Sequence, residues 1–169
     1  MAVCLALGMV LPFVTGAIPE VGKLLCPMHI PVFIGSAILG PVWGGVLGFI
    51  MPLLRGVMLG SPALFPTGLG MAVELMGYGA AFGLCLRLMR GNTAMLYVSL
   101  VAAMLAGRVL GGIAKIFFLT FGVIEKYSLA LFFTGYFVGS WLGIVVQLII
   151  IPPIIFALRK LDFLRGLNL

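Results

Sequence analysis

Three ionisable residues lie inside long apolar stretches of this sequence: Glu74, Arg108 and Lys115. A charged side chain near the centre of a lipid bilayer costs about 2–3 kcal/mol or more unless it is paired or faces water. Such charges are therefore expected to serve a function, and two positive charges against one negative charge favour the binding of an anionic or zwitterionic solute. The structural alternative is a mutual ion pair that holds two membrane helices together.

The spacing of these residues predicts which side chains face each other. Arg108 and Lys115 are seven residues apart, so they share one helix face and lie about 10 Å apart along it. Tyr78 follows the glutamate by four residues and shares its face, although ordinary packing would also explain this tyrosine. Tyr136 and Ser140 show the same spacing later in the chain. We expect these side chains to line one polar cavity.

The only histidine, His29, stands between Pro27 and Pro31 in the stretch CPMHIPVFIGS. Because proline interrupts a helix, we expect an irregular, outward-facing edge at this point. Non-helical backbone at membrane depth is tolerated where it is buried in protein or lines a water-filled cavity. His29 is therefore a candidate lid residue over the cavity, with a purely local hydrogen-bonding role as the alternative.

The competing functional class is an intramembrane enzyme that uses Glu74 and His29 as acid and base, which would require both groups to reach one substrate. No nucleophile accompanies them, and one imidazole without a neighbouring Cys, Asp or second His does not predict a metal site. The sequence has no Walker motif, no H-E-x-x-H and no G-x-S-x-G, which would mark an ATPase or a common hydrolase. We expect no catalysis, no metal and no cofactor.

The composition decides the kind of protein that must position these groups. The 169 residues are 63% hydrophobic and 8% charged, whereas soluble domains carry about 25% charged residues. Continuous apolar runs, such as residues 95–122, predict membrane-spanning helices and not the alternating strands of a barrel. The net charge of +6 does not indicate nucleic-acid binding, because the basic residues form no contiguous face. Neither symmetry nor a polar-lined helix suggests a channel.

Breaks at glycine, proline and charged residues predict a single domain, residues 1–169, made of six membrane helices. A turn is predicted at 40–45, and the prolines at 151–153 are expected to kink or break the last helix. Seven Gly-x-x-x-Gly spacings predict close helix packing inside the bundle. The first two predicted spans are about 2–18 and 31–40, and the third runs from the end of the predicted turn to about Arg55. The remaining three are about 69–89, 93–121 and 127–158.

The distribution of lysine and arginine predicts the orientation of the bundle. With six spans both termini lie on one side, which then carries five basic residues against three on the other side. Because cytoplasmic loops are the more basic ones, both termini are expected in the cytoplasm. The five residues are Arg87, Arg90, Arg159, Lys160 and Arg165.

Four stretches together resemble the substrate-binding S components of energy-coupling factor (ECF) vitamin transporters. They are LLCPMHIPVFIGSAILGPVWGGVLGFIMPLL (24–54), SPALFPTGLGMAVELMGYGAAFGL (61–84), AGRVLGG (106–112) and VQLIIIPPIIFAL (146–158). The resemblance covers nearly the whole chain in the right order. It implies a compact six-helix bundle in the bacterial cytoplasmic membrane, with both termini in the cytoplasm.

The resemblance also implies partners and a site. S components bind a vitamin at the outward face, and a transmembrane coupling subunit with two ATPase subunits then drives transport. The small-residue motif A-x-x-x-A on their first helix docks on the coupling subunit, and Ala2 and Ala6 match it. For a transport subunit of this kind we expect Arg108 and Lys115 to contact a substrate carboxylate. Glu74 and Tyr78 would make polar contacts, and His29 would form part of the gating loop.

Within the family, pantothenate is the favoured substrate. The H-I-P-V region resembles pantothenate-type members, and a cavity with surplus positive charge suits a single carboxylate. Pyridoxine, hydroxymethylpyrimidine, folate and cobalamin remain open.

Overall fold

The computed structural model describes residues 1–15, 27–88, 93–122, 134 and 139–160. Within these ranges the ordered elements are helical and no strand occurs. A single π-type turn, Leu64–Gly68, precedes the fourth helix. The helices are α1 (Ala2–Thr15), α2 (His29–Leu39), α3 (Pro41–Leu59), α4 (Leu69–Leu88), α5 (Thr93–Thr120) and α6 (Trp141–Lys160).

Four of these helices are long and apolar enough to cross a membrane: α3, α4, α5 and α6. By contrast, α2 has 11 residues and is about 16 Å long, roughly half the thickness of the hydrocarbon core. The prediction of an all-helical membrane protein is therefore confirmed. That exactly six helices span the bilayer stays a prediction.

The junction between α2 and α3 is tighter than predicted. In place of a turn over 40–45, Gly40 alone separates the two helices, with φ at 86°. Pro41 then occupies the first position of α3, where its missing N–H would have no helical partner. This helix continues beyond Arg55 to Leu59. Gly45 and Gly48 of this helix lie in the packed interface with α4 described below.

The prolines near His29 and in α6 also differ from the prediction. His29 begins α2, and Pro31 lies in its first turn, where the helix needs no N–H donor. Among the described residues at this edge, the non-helical backbone is the turn at residues 27–28. In α6 the helix runs through Pro152 and Pro153, so the predicted break does not occur, and a kink at this point stays a prediction.

Helix α4 lies at the centre of the bundle and packs against α2, α3 and α5. Its contact with α3 is so close that a Cβ atom on Gly79 would collide with the carbonyl group of Gly44. The hydroxyl group of Ser36 on α2 donates a hydrogen bond to the Gly79 carbonyl oxygen. The predicted role of the Gly-x-x-x-Gly spacings in close packing is confirmed at this interface.

Candidate functional site

The antiparallel packing of α4 and α5 brings the predicted site residues to one half of the bundle. A Cβ atom placed on Gly70 would lie 3.6 Å from Cε2 of Phe118, and a Cβ atom placed on Gly77 would lie 2.7 Å from Cδ1 of Leu110. Glu74 therefore lies in the second turn of α4 beside the second-to-last turn of α5, which carries Lys115. We call this half, which also includes the starts of α2 and α6, the site half.

Glu74 and Tyr78 are joined by a hydrogen bond along one face of α4. The Tyr78 hydroxyl donates to Oε1 of Glu74 at 3.0 Å. The tyrosine is 2% exposed, while the glutamate is half-buried. The predicted sharing of one helix face by these two side chains is thus confirmed.

Arg108 connects the glutamate–tyrosine pair to the start of α6. Its side chain is 7% exposed and lies within hydrogen-bonding reach of the Tyr78 hydroxyl. Its Nη2 atom donates to Oγ of Ser140 at 3.1 Å. Three elements therefore meet at one guanidinium group, which presents five donors in a planar fork.

Lys115 adds the second positive charge. It lies close enough to Glu74 for the two charges to interact, two helical turns along α5 from Arg108. The predicted site residues that the structure describes thus include one carboxylate and two cations. Such a site has a positive surplus of one charge, which favours an anion over a neutral or cationic solute.

His29 reaches the same cluster from α2. Its ring packs edge-on against the Tyr78 ring, with centroids 4.9 Å apart and an interplanar angle of 63°. The histidine is 7% exposed. Behind it, Phe33 contacts Tyr78 at 5.7 Å and Phe82 at 5.1 Å. These ring contacts fix the start of α2 against α4, because aromatic pairs favour such tilted and edge-on arrangements.

The structure brings five of the seven predicted site residues into direct contact and places Lys115 beside them. The seventh, Tyr136, lies outside the described residues. Ser140 lies in a turn just before α6, while most of the predicted span before it lies outside the described residues. The five are His29, Glu74, Tyr78, Arg108 and Ser140. Their role in binding stays a prediction.

Sequence reasoning missed the importance of Gly107. A Cβ atom on this glycine would lie 2.8 Å from both Cγ and Cδ1 of Tyr78, so this glycine packs directly against a site residue. Its only signal in the sequence is the 107/111 glycine spacing, which also fits ordinary helix packing. Within the described residues, no three His, Cys, Asp or Glu side chains are grouped as metal ligands.

The two residues of the predicted docking motif lie on the outer surface of α1. Ala2 and Ala6 are both exposed, and the neighbouring Val3, Leu7 and Val10 are exposed as well. Small side chains on an exposed membrane-helix face allow another helix to approach closely.

Comparison with curated proteins and with solved structures found no match. The model of one protein family, described as the substrate-specific component of ECF transporters, matches residues 1–155. This match covers most of the chain, including α2, α4 and α5 in full and α6 as far as residue 155. The chain therefore belongs to the substrate-specific components of ECF transporters.

Proposed function

We propose that this component binds a small anionic vitamin, with pantothenate as the favoured substrate, at the polar cluster of the site half. The observation that carries the proposal is the continuous connection from Glu74 through Tyr78 and Arg108 to Ser140 in a largely apolar bundle. Buried polar groups in a membrane are costly, so a connected set of them has a functional role by default. Family membership makes the chain a transport subunit and decides against an acid–base enzyme built on Glu74 and His29.

Each side chain has a distinct task in this proposal. Arg108 binds the substrate carboxylate, since a guanidinium group can donate two parallel hydrogen bonds to it. Lys115 raises the positive charge around the same group. Glu74 and Tyr78 contact the hydroxyl or amide groups of the substrate, because a carboxylate accepts hydrogen bonds and a phenol both donates and accepts.

Two site residues stand at places where helices begin. His29 starts α2, and Ser140 immediately precedes α6. A ligand held by Arg108 would therefore contact groups from four elements and hold their ends together. In this proposal His29 covers the ligand and helps to control access, while Tyr136 completes the wall near Ser140.

Family membership also implies association with the ECF membrane subunit and the ATPase subunits. We propose that α1 docks on the membrane subunit through Ala2 and Ala6, whose exposure leaves that face open to another helix. Both termini then lie in the cytoplasm of a bacterial cell, and the site half faces outside.

The test begins with the purified protein. Native mass spectrometry identifies ligand carried through purification, and isothermal titration then compares pantothenate with pyridoxine, hydroxymethylpyrimidine, folate and cobalamin. We expect recovery and tight binding of pantothenate. Binding of another compound in its place would refute the substrate assignment but not the site.

Substitutions test the site itself. Arg108→Gln and Lys115→Gln should each weaken binding of whichever vitamin the protein retains. Arg87→Gln is the matched control, because Arg87 is exposed near the end of α4 opposite to Glu74. Unchanged affinity in both site variants would show that the ligand binds elsewhere.

A further inference from the structure

Gly107 lies against the root of the Tyr78 ring. A Cβ atom at this position would be 2.8 Å from Cγ and Cδ1 of Tyr78 and 2.9 Å from the carbonyl oxygen of Glu74. Both contacts are closer than side chains tolerate at native packing density. The Cγ atom is one bond from Cβ and the carbonyl belongs to the backbone, so neither can move away by bending the end of a flexible side chain.

The surroundings of Tyr78 leave the ring no free direction. The residue is 2% exposed, and the rings of His29 and Phe33 pack against it at 4.9 Å and 5.7 Å. A side chain at 107 would therefore force α4 and α5 apart or turn Tyr78 into another rotamer. Turning the ring would take the hydroxyl away from Oε1 of Glu74, which it now contacts at 3.0 Å.

We propose that Gly107 is a positioning residue of the binding site: its missing side chain holds the Tyr78 hydroxyl between Glu74 and Arg108. Gly107 precedes Arg108 in the sequence, so the same turn of α5 supplies the cation and the space for the ring that meets it. The consequence for ligand affinity rests on the proposed function, whereas the effect on Tyr78 can be measured in the empty protein.

Two glycines on the neighbouring helix α4 provide controls for Gly107 on α5. Gly77 belongs to the same helix crossing, since a Cβ atom there would lie 2.9 Å from Cα of Gly107 and 2.7 Å from Cδ1 of Leu110. Gly77 immediately precedes Tyr78 in the chain, and its nearest contacts across the crossing are Gly107 and Leu110. Gly70 is also buried, but its nearest neighbour is Phe118 at an ordinary 3.6 Å. Alanine at 77 overpacks the same crossing from the α4 side, and alanine at 70 disturbs little.

Fluorine NMR of protein labelled with 3-fluorotyrosine tests the position of the ring without any ligand. The chain has 4 tyrosines, and Tyr78→Phe identifies the signal of Tyr78. We expect Gly107→Ala to move this signal more than Gly77→Ala does, and Gly70→Ala to leave it in place. Glu74→Gln should move the signal in the wild type but not in the Gly107→Ala background. An unmoved signal in Gly107→Ala, or an equal shift in Gly70→Ala, would overturn the proposal.

Titration with pantothenate tests the consequence for binding. Gly107→Ala should weaken binding by about tenfold or more, as expected for the loss of a hydrogen bond to a charged group. In the Tyr78→Phe background the same substitution should cost no further affinity, because its effect acts through the hydroxyl. A further tenfold loss there would overturn the proposal. If the wild type does not bind pantothenate, the substrate assignment fails, and the fluorine spectra still decide the role of Gly107.

A compensating variant covers the case in which Gly107→Ala does not fold. Tyr78→Ala removes the Cγ atom that a side chain at 107 would meet. The double variant keeps the 2.9 Å contact with the Glu74 carbonyl oxygen, so Gly107→Ala should lower the melting temperature less in the Tyr78→Ala background than in the wild type. An equal or larger loss in the Tyr78→Ala background would show that contact with the ring is not the reason for the glycine.

Discussion

The Tyr78 hydroxyl donates to Oε1 of Glu74 at 3.0 Å, one helical turn away on α4. Tyr78→Phe removes this donor and keeps the ring in its packing with His29. We expect pantothenate affinity to fall about tenfold to a hundredfold, because hydrogen bonds to charged groups are worth about 1.5–3 kcal/mol. Isothermal titration measures the loss. Tyr97→Phe is the control, since Tyr97 is 40% exposed on α5; an equal loss in both variants would contradict the prediction.

Two replacements of Arg108 should distinguish how much its charge and its planar shape each contribute to ligand affinity. Arg108→Gln removes the charge and is expected to reduce anion affinity by at least about tenfold. Arg108→Lys keeps the charge but loses the planar fork that meets Ser140 and Tyr78, so its affinity should lie between those of the wild type and the glutamine variant. Titration of the three proteins with pantothenate measures this order. Full affinity in the lysine variant would show that only the charge matters.

The chemistry of the site could be predicted from the sequence because charge in a membrane is costly. Because of that cost, Glu74, Arg108 and Lys115 stand out as functional candidates within the apolar stretches of this sequence. The four-residue spacing then places Tyr78 beside the glutamate. The contact between Arg108 and Ser140 could not be predicted in this way. Ser140 lies in a turn, where no helical period fixes its direction.

The boundaries of the helices were harder to predict, because proline and glycine act differently inside a packed bundle. Pro152 and Pro153 remain within α6, since surrounding groups in a membrane protein can satisfy backbone groups that proline leaves free. Gly44 stays helical in α3, where its missing side chain admits Gly79. Both facts depend on partners distant in sequence, which local patterns do not contain.

The contact of α3 with α4 should control stability without directly involving the site. Gly79→Ala would place a Cβ atom against the Gly44 carbonyl group, and overpacking of this kind costs about 1–3 kcal/mol. We expect a lower melting temperature in detergent, measured by the loss of helical circular dichroism. Gly70→Ala should melt close to the wild type, because its nearest contact is 3.6 Å. Equal melting temperatures of Gly79→Ala and Gly70→Ala would show that α3 and α4 can move apart at little cost in stability.

The exposed face of α1 can be tested apart from substrate binding. Ala2→Leu combined with Ala6→Leu should reduce copurification with the ECF membrane and ATPase subunits, because bulky side chains keep an approaching helix away. Pantothenate binding by the isolated component should be unchanged. Val98→Leu enlarges another exposed apolar side chain, on α5, and should copurify normally. Normal copurification of the variant with leucine at positions 2 and 6 would refute the proposal that α1 is the docking helix.

Trp141 offers an internal reporter for the site, because it follows Ser140 directly and is 57% exposed. The chain has 2 tryptophans, and Trp43 lies near the start of α3, at the end that packs beside Gly83 and away from Glu74. In the Trp43→Phe protein, pantothenate should change the Trp141 emission, because a ligand on Arg108 competes for the guanidinium donor that now reaches Ser140 at 3.1 Å.

Two comparisons show whether such a signal comes from the site. In the Trp141→Phe protein only Trp43 remains, and its emission should not respond to pantothenate. Adding Ser140→Ala to the Trp43→Phe protein should reduce the amplitude of the Trp141 response, since the arginine then no longer has a hydroxyl partner next to the reporter. A response of Trp43 equal to that of Trp141 would mean that the ligand changes the whole bundle and does not bind in the site half alone.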